Sequence, residues 1–252
     1  MWVKICGITN EDDALTAVAL GADAIGFVFA PSRRQVTPDA VRDIVKRVPS
    51  EVITVGVFRN ERPERVTEVV NKVGLHGAQL HGHEPLREVR WIRQRVQFVI
   101  QGFRAGDPGM QAAANGPADI ILVDSPSPGS GRVFDWRLAD GVPGGVRLLL
   151  AGGLHHENVQ EAIAKVRPWG VDVSSGVEAS PGRKDPRRLR LFIEAAKHAG
   201  AELQEPPVRH MESLDTYGDA DGRLDMLDIE IDPRDVISEA GVTRPFDWAI
   251  DL

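Results

Sequence analysis

Two stretches, Trp2-Val3-Lys4-Ile5-Cys6-Gly7-Ile8-Thr9 and Ile120-Ile121-Leu122-Val123-Asp124, are apolar runs that each deliver one reactive side chain, a thiol and a carboxyl. Similar runs rich in Val, Ile, Leu and Phe begin near Trp2, Ala24, Val52, Gly77, Phe98, Ile120, Arg147 and Gly170. Their starts lie 21 to 28 residues apart, room for one strand and one crossover helix each time. Several are continuously apolar instead of alternating, as parallel strands covered on both faces should be.

The intervening segments carry helix start and stop signals. Thr37-Pro38 offers an N-cap and a first-turn proline. Arg62-Pro63 opens a segment with Val66, Val69, Val70 and Val73 on one face and Gly74 at its end. Asp185-Pro186 opens another, in which Gly200 reads as the stop. Eight such units predict an α/β fold: a single (β/α)8 TIM barrel over residues 1–200, followed by an acidic C-terminal extension over 201–252. An open doubly wound sheet is the alternative. It would rarely need eight such evenly spaced units, and no G-x-G-x-x-G follows a strand.

The 252 residues are 42% hydrophobic and 27% charged, ordinary for a globular chain, with a net charge of −7. That charge is unevenly spread. Of 37 acidic and 30 basic residues, 14 and 4 fall in 201–252, leaving 23 and 26 in the barrel. The tail would repel phosphates and the barrel's basic residues are dispersed, so no nucleic-acid partner is expected. No apolar run approaches the ~20 residues that span a bilayer, and the start lacks the layout of a secretory signal. One cysteine cannot form an internal disulfide. The expectation is a cytoplasmic protein, a monomer by default, whose tail is partly disordered or docked on the barrel or on an unknown partner. Asp219-Ala220-Asp221-Gly222 is a poor calcium loop, because Tyr217 and Asp228 stand at its first and last ligand positions.

A barrel of this kind works at the rim formed by the carboxyl ends of its strands. The first strand brings Cys6 and the sixth Asp124, a base and an acid for proton transfer. To act, the thiol needs a positive neighbour that lowers its proton affinity. Arg34, after the second strand, can grip a planar carboxylate with two parallel hydrogen bonds. His81, after the fourth, is a candidate pocket wall. Gly152-Gly153 and Ser175-Gly176 after the seventh and eighth strands form paired small-residue turns whose backbone N–H groups can hold a phosphate. Neither a metal motif nor a cofactor fingerprint is present, so the reading is a phosphorylated small-molecule substrate and no cofactor.

The motifs then match a family. Val3-Lys4-Ile5-Cys6-Gly7-Ile8-Thr9, the run from Gly21 to Phe29, Gln79-Leu80-His81-Gly82, Gly129-Ser130-Gly131 with Phe134-Asp135-Trp136, Ala151-Gly152-Gly153-Leu154 and Asp172-Val173-Ser174-Ser175-Gly176-Val177-Glu178 resemble phosphoribosylanthranilate isomerase of tryptophan biosynthesis. The resemblance runs in order through residues 1–199. It implies an Amadori rearrangement of N-(5′-phosphoribosyl)anthranilate to 1-(2-carboxyphenylamino)-1-deoxyribulose 5-phosphate. By that resemblance Asp124 is the acid that opens the ribose ring, Cys6 the base at C2′, Arg34 the anthranilate clamp and His81 a pocket wall. Gly152, Gly153, Ser175 and Gly176 hold the phosphate. The stretch Arg33-Arg34-Gln35 lacks the family's aromatic after the arginine, which leaves Arg33 open as the clamp. The rivals are the aminoaldose isomerase of histidine biosynthesis, which typically uses paired aspartates, and a phosphate-binding barrel or scaffold without turnover.

Overall fold

The computed structural model describes residues 1–125 and 146–203. Eight strands, β1 (Trp2–Cys6), β2 (Ala24–Val28), β3 (Ile53–Phe58), β4 (Gly77–Leu80), β5 (Phe98–Arg104), β6 (Ile120–Asp124), β7 (Arg147–Leu150) and β8 (Gly170–Val173), pair in parallel in chain order. The last pairs with the first, Lys4 standing opposite Asp172, so the sheet is a closed barrel. Seven strands start where the apolar runs do, and β3 starts one residue later, at Ile53.

Helices α1 (Glu11–Ala19), α2 (Pro38–Val45), α3 (Pro63–Val73), α4 (Leu86–Arg93), α5 (Gly109–Ala114), α6 (Val159–Val166) and α7 (Pro186–Glu202) follow their strands. The connection from β6 to β7, with the Gly129-Ser130-Gly131 and Phe134-Asp135-Trp136 motifs, lies outside the described residues. Between β8 and α7 an antiparallel hairpin, β9 (Glu178–Ser180) and β10 (Arg183–Lys184), sits on the carboxyl side of the sheet. Among the described residues no helix is long and apolar enough to cross a membrane.

Local chemistry sets these elements. The Thr37 side chain accepts from the Ala40 amide at 3.4 Å, and Pro38 supplies a pre-set first turn. In α3 the four valines are buried, and Gly74 takes φ +83° while its N–H donates to Val70 O. A side chain at that left-handed position is strained. The Asp185 carboxylate caps α7 through the Arg187 and Arg188 amides.

One expectation is corrected. Gly200 does not end α7, which continues to Glu202. The glycine is there because the helix crosses the amino terminus: a Cβ on Gly200 would overlap the Met1 Cβ and lie 2.7 Å from the Met1 nitrogen. By contact the chain divides into Met1–Pro206 and Pro207–Leu252. The second unit, with the Asp219–Gly222 stretch, lies outside the described residues.

Strand residues alternate between two sides. Val3, Ile5, Ile25, Phe27, Leu80, Val99, Ile121, Val123, Val171 and Val173 join the helix faces in one apolar sheath. Each such residue contributes about 1.5–3 kcal/mol by leaving water. The opposite set, which includes Lys4, Cys6, Gly26, Gln79, Gly102, Asp124 and Asp172, faces the barrel interior. Register therefore decides that the first and sixth strands end on inward side chains.

Gly200→Ala separates packing from helix propensity. Alanine in a helix is ordinarily more stable than glycine by about 0.5–1 kcal/mol. The Met1 contact reverses the sign, and we expect a loss of about 1–3 kcal/mol from overpacking. Urea denaturation reads this directly; a more stable variant contradicts the contact.

Candidate active site at the carboxyl rim

Cys6 ends β1 and is 7% exposed. Its sulfur and the Lys4 ammonium flank Gly26 of β2: a Cβ there would lie 3.1 Å from each. Lys4 is wholly buried and its Nζ donates to Asp172 Oδ1 at 2.8 Å. Burial opposes the Lys4 charge, but the Asp172 carboxylate and Cys6 outweigh it and raise its proton affinity. The amine stays an ammonium. Burial pushes the Cys6 thiol up, and Asp172 adds to this, while Lys4 and Lys184 pull it down without reversing the sign. The positive neighbour expected from the sequence is therefore present, two residues before the thiol, but it moderates a raised value instead of producing a lowered one.

Asp124 ends β6 opposite Arg104 of β5. Its Oδ1 accepts the Ser125 amide at 2.7 Å, which fixes the carboxyl, and its Oδ2 lies 3.4 Å from His81 Nε2. His81 is thus a neighbour of the carboxyl as well as a wall. It fits against Gly102, where a Cβ would come within 2.5 Å of its Nδ1.

Arg34 reaches across Gly7, where a Cβ would lie 2.5 Å from its Cδ. Its Nε and Nη2 donate to Glu178 Oε1 and Oε2, both at 2.7 Å. The two-pronged grip expected on a substrate is made here with Glu178 of β9. A guanidinium carries five donors, so Nη1 and the second Nη2 hydrogen remain for another carboxylate. Arg33 is exposed, whereas Arg34 is half-buried against the rim.

Lys184 of β10 binds this side of the rim together. Its Nζ donates to the Cys6 carbonyl at 2.6 Å, the Ser174 carbonyl at 3.1 Å and Glu178 Oε1 at 3.2 Å. Its amide donates to Asp13 of α1. Burial alone would raise the Glu178 carboxyl, but the Arg34 fork and Lys184 outweigh it and hold the group below its ordinary value.

The two small-residue turns meet. A Cβ on Gly176 would overlap the Leu154 carbonyl oxygen, and one on Gly152 would overlap the Ser125 amide and approach Asp124 Oδ1 at 2.7 Å. Gly152 and Gly153 adopt φ +88° and +69°, backbone that glycine enters without the strain a side chain would bring. Ser175 and Gly176 begin a 3-10 turn (Ser175–Val177). The fold thus brings a thiol, a carboxyl, an arginine and two glycine-bearing turns to one rim. Among the described residues no group of three His, Cys, Asp or Glu side chains is arranged to hold a metal ion.

A family model for N-(5′-phosphoribosyl)anthranilate (PRA) isomerase matches residues 3–195. This chain belongs to that family. The N-(5′-phosphoribosyl)anthranilate isomerase of Desulforudis audaxviator is 48% identical over 204 residues, 78% of this chain and 98% of the relative. That of Thermotoga maritima is 46% identical over 200 residues, 77% and 98% of the two chains. The crystal structure of the Thermus thermophilus phosphoribosyl anthranilate isomerase superposes with a TM-score of 0.74 at 41% identity, covering 79% of this chain and 99% of that one. Another phosphoribosyl anthranilate isomerase, 44% identical with a TM-score of 0.70 over 79% and 99%, was solved with reduced 1-(o-carboxyphenylamino)-1-deoxyribulose 5-phosphate.

Sequence reading of this PRA isomerase missed the partners around the reactive groups: Lys4 and Lys184 near Cys6, Asp172 behind Lys4, and Glu178 on Arg34. The one local signal was Lys4 itself, a charge inside an apolar run at the parity of Cys6.

Glu178→Gln removes the carboxylate that Arg34 and Lys184 share. Leaving a buried cation uncompensated costs about 3–5 kcal/mol, and we expect a loss of about 3 kcal/mol at pH 7. Because the native carboxyl is held low, the wild-type advantage is present above about pH 4.3 and fades as pH falls through the lowered native value. Equal urea midpoints for the two proteins at pH 7 would contradict the role of Glu178.

Proposed function

We propose that Cys6 and Asp124 perform the two proton transfers of the family's reaction. The chain is an N-(5′-phosphoribosyl)anthranilate isomerase of tryptophan biosynthesis, and the reaction is an Amadori rearrangement. What carries the residue assignment is register: the first and sixth strands end on inward-facing thiol and carboxyl groups at one rim.

In this reading the substrate phosphate sits on the amides around Gly152, Gly153, Ser175 and Gly176. The anthranilate carboxylate takes the remaining outer donors of Arg34, whose other edge Glu178 keeps in place. Asp124, protonated when it acts, gives its proton to the ribose ring oxygen. The C1′–O bond breaks as the anthranilate nitrogen lone pair forms a C1′=N bond, leaving an iminium and a free hydroxyl. The Cys6 thiolate then takes the C2′ proton, and that electron pair forms C1′=C2′ and neutralises the nitrogen. The resulting enolamine tautomerises to the ketone when its hydroxyl loses a proton and C1′ gains one. His81 borders the Asp124 oxygen that the Ser125 amide leaves open. Oδ2 is therefore the oxygen we assign to carry the proton. No step calls for a cofactor.

A cysteine that accepts protons must stay reduced, and we assign the protein to the cytoplasm, with a monomer as its working state. Among the described residues the exposed large hydrophobics are Leu15 and Leu203, each 37% exposed, which is not a contiguous apolar interface. The Thermotoga maritima enzyme is described as dimeric. Of residues 201–252, Ala201 and Glu202 complete α7, and Pro207–Leu252 we treat as a separate extension.

Loss of phosphoribosylanthranilate fluorescence measures turnover. Positioned acids and bases contribute about 10²–10⁴-fold, so Cys6→Ala and Asp124→Asn should each lower kcat by that order while KM moves little. Near-wild-type turnover of either would remove that residue from the mechanism. Arg34→Ala should raise KM well above its effect on kcat; unchanged values of both would reject the clamp.

A further inference from the structure

We propose that Lys4 is a positioning residue for the proton transfer: buried inside the barrel between Cys6 and Asp172, its ammonium holds the sulfur in place and stabilises the thiolate that accepts the C2′ proton. The inference rests on the reading of Cys6 as the base and explains how a buried sulfur can serve as one.

Three observations carry it. Lys4 has no exposed surface, although a lysine side chain is almost never fully buried without a partner. Its partner Asp172 lies in register across the β1–β8 seam, so the ammonium is anchored at 2.8 Å from one carboxylate oxygen. The Lys4 nitrogen and the Cys6 sulfur both border the space that Gly26 leaves open, each 3.1 Å from where a Cβ would stand, so any larger residue there would press on both. A well-packed apolar pair of similar volume is often as stable as a buried ion pair, so stability alone does not account for Lys4 and Asp172.

The other charges around the thiol are arranged differently. Lys184 of β10 spends its hydrogen bonds on the Cys6 and Ser174 carbonyls and on Glu178. Arg34, crossing Gly7, is paired with Glu178 of β9. Asp172 of β8 is the anion on this side, and it is neutralised through Lys4. The Lys4 ammonium is thus the cation that borders the same Gly26 space as the sulfur. When the thiolate takes the C2′ proton, the sulfur becomes neutral and the Lys4–Asp172 pair is left self-compensated. Lys4 keeps its own protons throughout.

Cys6 is the chain's one cysteine, so cysteine labelled with 13C at Cβ gives a single resonance whose pH titration reads this thiol without any substrate. Lys4→Met keeps the length and removes the charge. It should move the Cys6 midpoint upward by about one pH unit, tenfold less thiolate at a given pH. Its kcat should fall with KM little changed, and the loss should shrink as pH is raised. Lys4→Arg should restore most of the wild-type midpoint. Asp172→Asn removes the anion and should move the midpoint down, opposite to Lys4→Met, although both variants break the same ion pair. A folded Lys4→Met protein with an unshifted midpoint overturns the proposal. If that variant does not fold, an upward or absent shift in Asp172→Asn overturns it. An active Cys6→Ala enzyme would instead defeat the base assignment and leave the titration result standing.

Discussion

The first strand meets the last across Lys4 and Asp172, and the rest of the site depends on that seam. An open sheet leaves two edge strands with unpaired backbone groups, and closing it into a barrel removes both. Here closure sets an ammonium against a carboxylate 168 residues away in the dry interior. Such a pair adds little net stability, yet it penalises other registers strongly, since a slip by one residue would strand each charge in the apolar sheath. With β1 locked this way, Cys6 emerges inward at the rim. The same parity around the barrel puts Asp124 on the inner side of β6.

A second layer of charge joins the rim loops to the strands. Lys184 ties the carbonyls of β1 and of the turn after β8 to Glu178, and Glu178 holds Arg34 beside Gly7. The glycines do the complementary steric work. Gly176 lets the last two rim turns touch, and Gly152 lets the seventh approach Asp124. Asp124 and the turns after β7 and β8 are therefore mechanically one body, and on the proposed reading a phosphate held by those turns orients the reacting ring. The thiol sits at the end of β1 beside the turn after β8, in surroundings where burial works against its charge and two lysines work for it.

Much of this was legible in the chain. Strand starts were plain because parallel strands sheathed by helices must be apolar throughout, and Cys6 and Asp124 stood out as reactive residues at the ends of such runs. The Thr37 and Gly74 helix boundaries rest on chemistry within four residues, so local reading suffices for them. Gly200 was misread because its contact, Met1, is remote in sequence. Lys4 and Glu178 could not be interpreted for the same reason: their partners lie 168 and 144 residues off. A charge inside an apolar strand carries no local sign of what neutralises it. Arg34 was found, but the carboxylate already in its fork was not.

The most direct test is a crystal structure of this chain with reduced 1-(o-carboxyphenylamino)-1-deoxyribulose 5-phosphate bound. The account places the phosphate on the amides around Gly152, Gly153, Ser175 and Gly176, C2′ against the Cys6 sulfur, and the former ring oxygen within hydrogen-bond reach of Asp124. A sugar that touches the sulfur or the carboxyl but cannot reach both would contradict it.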